Sequence, residues 1–222
     1  MSTELAGKRV IGSLSRKGAN LPRLAARIVS KPESLPQIVE GLRSDVARVR
    51  FGCARLLRII SESEPRLLYP MFDIFVGLLD SKNKIFQWDA TFILARLATV
   101  DSEGKFEPVF DRYFAPIPGP ALITAANVIG GAATIASAKP HLAGRITREI
   151  LKVEKAQYQT AECRNVALGQ AMDALDQFFD QIVDKEPILR FVRRQLKNTR
   201  SATRERAEEF LKNHGTPPAS QQ

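Results

Sequence analysis

A nine-residue frame that returns along the chain constrains its fold more than any other feature. It reads Val49-Arg50-Phe51-Gly52-Cys53-Ala54-Arg55-Leu56-Leu57, then Phe86-Gln87-Trp88-Asp89-Ala90-Thr91-Phe92-Ile93-Leu94, and continues over 122–130, 163–171 and 203–211. The fifth position is small each time: Cys53, Ala90, Ala126, Ala167 and Ala207, at intervals of 37, 36, 41 and 40 residues. Arg holds the second position at Arg50, Arg164 and Arg204. Pro36, Pro70, Pro108, Pro140 and Pro187 each stand near the start of an amphipathic segment ahead of a frame. Proline is tolerated in a first helical turn, where its missing N–H would lack an intrahelical partner anyway. Pro70 sits deeper and is expected to kink its helix.

Each repeat therefore reads as a helix A carrying the proline, a short polar turn, and a helix B carrying the small residue. In the first helix B, Val46, Val49, Cys53, Leu56, Leu57 and Ile60 recur at helical spacing as one apolar stripe. The small residue lets helix A approach, and neither helix can bury its stripe until neighbouring pairs stack. No period-2 apolar run with turn signals occurs, so no sheet is expected. The expected fold class is all-α: a superhelix of about five helical hairpins over 21–213, with repeats at 32–62, 65–100, 104–136, 138–182 and 184–213. Residues 1–20, with Gly7, Gly12 and Gly18, read as a capping or frayed helix, and 214–222 as a disordered tail. Gly130-Gly131 reads as a point of close helix–helix packing.

With that unit in place, the chain resembles the HEAT-repeat (armadillo-like) α-solenoid family. The family's helix B carries Asp, a short spacer, Val-Arg, two variable residues, Ala and a later Leu; Asp45, Val49, Arg50, Cys53 and Leu56 occupy those places. The resemblance covers roughly residues 32–214. It implies a non-catalytic scaffold that receives a protein partner in a concave groove lined by helices B. It also implies a ladder of Asp and Arg side chains between repeats, incomplete where Gln87 and Ile123 replace Arg.

The hydrophobic content of 44% and charged content of 26% suit a soluble globular chain. The longest apolar run, 125–136, falls short of the roughly 18–20 residues that span a bilayer, so no membrane partner is expected. The first residues lack the apolar core of a signal peptide. Cys53 and Cys163 lie far apart without CxxC spacing. A reducing, cytoplasmic location is the expectation.

Catalytic groups are scarce. Histidine occurs only at His141, which has no acid or cysteine near it in sequence, and at His214, which reads as a helix-end cation. No phosphate-binding glycine loop or nucleophile elbow occurs. The His-Glu pairs through which some HEAT-repeat enzymes hold iron are also missing. No catalytic residue, metal site or cofactor is expected.

Binding residues are the remaining candidates. Trp88, the sole tryptophan, lies in a helix B and has two readings: packing between repeats, or anchoring a partner in the groove. Gln87, Thr91, Arg48, Arg55 and Arg96 join it as contact candidates. Certain DNA glycosylases built from HEAT-like repeats use aromatic and Asp side chains on this face, but one Trp-Asp pair does not carry that reaction over. Net charge is +9, concentrated at the ends: residues 1–60 hold 12 Lys/Arg against 4 Asp/Glu, and 183–222 hold 9 against 5. Arg193, Arg194, Lys197 and Arg200 could track phosphates, which makes nucleic-acid binding, with or without repair, the alternative to the protein scaffold. The plainer reading of both basic runs is solvated surface.

Overall fold

The computed structural model describes residues 2–215, with side chains described from Gly7 onward. Every regular element among them is helical. The chain divides into two compact units, Met1–Val109 and Phe110–Gln222.

In the first unit the helices are α1 (Ser2–Leu14), α2 (Leu21–Val29), α3 (Leu35–Glu40), α4 (Ala47–Ser63), α5 (Pro65–Leu68), α6 (Phe72–Leu78) and α7 (Lys84–Leu97). Side-chain caps set two of the starts. Asn20 accepts from the Arg23 amide at 3.0 Å and Asn83 from the Ile85 amide at 3.0 Å, each satisfying an orphan donor of a first turn. Pro70 does more than kink its helix: a 3-10 turn, Tyr69–Met71, separates α5 from α6. Helices B pack side by side, α2 on α4 and α4 on α7, while α1, α3, α5 and α6 pack against them as helices A. The segment expected as the N-terminal cap, residues 1–20, holds the single helix α1, which packs against α3 and α4 with Val10 and Leu14 buried. Gly41 shows what the small frame position is for. A Cβ there would collide with the sulfur of Cys53, so glycine on helix A and a small residue on helix B together permit the close approach.

The second unit holds α8 (Phe110–Phe114), α9 (Leu122–Ala138), α10 (Ala143–Leu151), α11 (Ala161–Asp176), α12 (Glu186–Gln195) and α13 (Ser201–His214). Helix α11 packs between α9 and α13, with α10 and α12 against this row. Tyr113, Phe114, Phe178 and Phe191 fill the interior.

Three expectations differ from the structure: the third frame, the Gly130-Gly131 pair and His214. In four frames the small residue lies six positions after the first residue of its helix B and is fully buried: Cys53, Ala90, Ala167 and Ala207. In α9 that place belongs to Val128, which is 1% exposed, whereas Ala126 is half-buried. The third frame therefore slips by two residues, and the intervals become 37, 38, 39 and 40. Gly131 and Ala132 then stand where α4 has Leu56 and Leu57, and their small volume makes room for the larger Val128. Gly130 is exposed, and a Cβ added to it would meet open space, so only Gly131 of that pair is buried. The expected tail lies, beyond Gly215, outside the described residues. His214 does not serve its own helix end: its Nε2 lies 2.6 Å from Asp176 of α11, and its ring stacks on Phe179 and Phe210.

Candidate interaction face

Helices advance about 100° per residue, so residues three and four apart share a face. On α7 this spacing places Ile85, Trp88, Phe92 and Arg96 on one solvent-facing stripe. Ile85 is 42% exposed, Trp88 and Phe92 are half-buried, and Arg96 is exposed. On the neighbouring α4 the solvent-facing stripe carries Arg48, Arg55 and Glu62. On α2 it carries Arg23 and Arg27.

Asp89 and Arg58 tie the first two stripes together. The Arg58 guanidinium lies 3.4 Å from the carboxylate of buried Asp89 and 3.6 Å over the Phe92 ring, and also reaches Glu62 at 3.8 Å. Burial raises the pKa of Asp89, opposed by the charges of Arg58 and Arg55. Arg58 is thereby committed to structure and fixes the Phe92 ring in place.

Of the expected contact residues, Trp88, Arg55 and Arg96 come together on this surface. Arg48 is exposed beside them, but donates at 3.0 Å to the Ser15 carbonyl just past α1. Gln87 and Thr91 do not belong to the face. The Gln87 amide donates to the Leu79 carbonyl at 2.9 Å and accepts from Lys84, and Thr91 is buried with its hydroxyl on the Gln87 carbonyl. Gln87 turns toward the end of helix A, about 100° round α7 from Trp88, whereas Thr91, three residues on from Trp88, is closed off by burial and by its bond to its own helix. Sequence reasoning misses Ile85, Phe92, Arg23 and Arg27, although counting in threes and fours from Trp88 reaches the first two.

The recurrent Arg also has a different job from the ladder that the resemblance implies. Arg50 donates at 2.7 Å to the Ser44 carbonyl and Arg204 at 2.8 Å to the Asn198 carbonyl. With Gln87 on Leu79, three frames satisfy carbonyls left at the end of the preceding helix A. In the corrected register the second place of the third frame falls on buried Ala125, and Ile123, 58% exposed, lies outside it.

The phosphate candidates sit in a neutralised setting. Arg194 forms a bidentate pair with Glu154 at 2.8 and 2.7 Å, Arg193 reaches Glu186 at 3.4 Å, and Arg200 reaches Glu162 at 2.8 Å. Lys197 is exposed just past the helix that carries Arg193 and Arg194.

Two concavities flank the first unit's helices. One of about 670 Å³ beside α2 is lined by Ser13, Asn20, Arg23 and Arg27. The other, about 710 Å³, lies between α3 and α6 against Val39, Leu42, Ile74 and Leu78. Among the described residues, no three His, Cys, Asp or Glu side chains are grouped to hold a metal, and no helix is long and apolar enough to cross a membrane.

No protein-family model matches the chain, and no curated protein does. Solved structures do. A designed armadillo repeat protein is similar at 13% identity over 92% of this chain and 98% of that one, with a TM-score of 0.60. An engineered protein is similar at 17% identity over 95% of this chain and 89% of that one, with a TM-score of 0.54. The helical pairs, their two layers and this likeness agree: the chain has an armadillo/HEAT-like, all-α helical repeat fold.

Proposed function

We propose that the chain is a non-catalytic protein-interaction scaffold whose partner sits on the outer face of α4 and α7. One observation carries this reading: half-exposed Trp88 and Phe92 lie beside Ile85, Arg55 and Arg96 on a packed helical surface. Aromatic and Arg anchors surrounded by apolar surface are the side chains that dominate protein–protein binding energy. Rigid helices hold them in place before the partner arrives, which reduces the ordering cost of association. The repeat frame over 21–213 supplies the platform. Free Cys53 and Cys163 suit a cytoplasmic location. No cofactor, metal or membrane enters the reading.

Nucleic-acid binding through both basic ends has less support. Arg193, Arg194 and Arg200 would have to leave carboxylates to reach phosphate. Fluorescence anisotropy with labelled duplex DNA, single-stranded DNA and RNA separates the two. The scaffold reading expects binding that is absent or lost on reaching physiological salt, about 0.15 M. Sub-micromolar binding that survives there would replace it.

A further inference from the structure

We infer that the segment received by this face is acidic and extended, with an apolar side chain among its carboxylates. The inference rests on the scaffold reading above and adds the chemistry of the partner. Its basis is an imbalance of charge confined to the solvent-facing stripes of α2, α4 and α7. Arg23, Arg27, Arg55 and Arg96 project from those stripes, and among the described residues none of them forms an ion pair with a carboxylate, although the charge of Arg55 acts on buried Asp89 from farther off. The acids nearby are already taken: Glu62 lies against Arg58, and Asp89 is buried beneath the same guanidinium. The contrast with the C-terminal cations is direct, because Arg193, Arg194 and Arg200 are matched by Glu186, Glu154 and Glu162. Unmatched guanidiniums at fixed positions favour carboxylates, which they can bind bidentately.

The apolar part of the surface restricts the partner further. Trp88, Phe92 and Arg96 share the α7 stripe and Arg55 lies on the neighbouring α4 stripe, so a segment crossing from α2 to α7 meets cations first and then the rings. Three adjacent helices spaced by about 8–10 Å span roughly 20 Å. About six extended residues at ~3.3 Å each cover that distance. At the α2 end, the polar concavity lined by Asn20, Arg23 and Arg27 gives a terminal carboxylate side chain a place to lie.

The sole tryptophan lies on the face, so its emission reports occupancy there directly. The 222-residue chain is titrated with synthetic peptides of about ten residues. One alternates Glu with a central Phe, one has Lys in place of Glu, and one has Ser. A dT oligomer is titrated in parallel. The expected result is a saturable change in Trp88 emission with the Glu peptide, weakened about tenfold or more in Arg55→Glu/Arg96→Glu and again in Arg23→Glu/Arg27→Glu. The melting temperature of Arg23→Glu/Arg27→Glu should match the wild type because both side chains are exposed, and Arg55→Gln/Arg96→Gln, which places no like charge beside Asp89, should weaken the Glu peptide in the same direction. Tighter binding of the Lys or Ser peptide would overturn the acidic assignment and leave the scaffold reading standing. A response to the oligomer alone at physiological salt would overturn both. No response to the Glu peptide at high micromolar concentration, or equal response in the charge-reversed variants, would overturn the inference.

Discussion

Asp89 is buried, with the Arg58 guanidinium 3.4 Å from its carboxylate. Burial dominates its titration and holds its pKa above the ordinary carboxylate range. The folded state therefore keeps this proton to higher pH than the unfolded chain does. Stability falls as pH rises from the unfolded pKa through the folded one, and the loss persists above it. Asp89→Asn removes that term while keeping an acceptor for Arg58. Denaturant midpoints across acid pH should show a flatter profile for the variant, and a midpoint at neutral pH equal to or above the wild type. Arg58→Ala should behave oppositely, losing about 2 kcal/mol by leaving Asp89 buried without its partner and Phe92 without its cation. Cys53 supplies a second test at this scale. Burial pushes its thiol up to about 12 and screens it from reagents. A native-state thiol assay near neutral pH should label half-buried Cys163 first, with Cys53 reacting only after denaturant is added.

Helix A and helix B meet through small residues, and the cost of enlarging them depends on what each one touches. Gly41→Ala drives a methyl into Cys53 and should cost about 1–3 kcal/mol, read from urea midpoints. Gly130→Ala meets nothing within 4 Å in mid-helix and should stabilise by about 0.5–1 kcal/mol. The frame's Arg gives a second contrast. Arg204→Ala uncaps the carbonyls of Asn198 and Thr199 and should cost about 1–2 kcal/mol, while Arg164→Ala, at a position with no such carbonyl bond, should change stability by less than about 0.5 kcal/mol. The helices themselves were legible, because apolar spacing, first-turn prolines and the recurring small residue all point the same way. The register of α9 was not: residues 125–136 are so rich in Ala and Gly that several alignments offer a small residue at the fifth place, and burial of Val128 decides between them. Half of the candidate face was legible for a similar reason. Trp88, Arg55 and Arg96 are on the exposed side of their helices, but Gln87 is spent on the Leu79 carbonyl at the end of helix A and Thr91, though at helical spacing from Trp88, is buried, which spacing alone does not tell.

At the scale of the whole molecule, the net charge of +9 says less than where its cations find partners. Both ends of the sequence are basic, yet the C-terminal cations are met by carboxylates up to 40 residues away, as Glu154 meets Arg194. Pairing over that separation cannot be read from a charge run, which is why the two ends look alike in sequence. Among the described residues, the α2–α4–α7 face is a cationic surface that combines aromatic side chains with Arg side chains in no ion pair. On the proposed scaffold reading, binding belongs to this face and not to α12. Quantitative affinity capture from a cell extract tests it most directly, comparing immobilised wild type with Arg55→Glu/Arg96→Glu and with Arg193→Glu/Lys197→Glu. The expected result is a set of captured proteins that the first variant loses and the second retains. Loss confined to the second variant, or identical capture by all three, would contradict it.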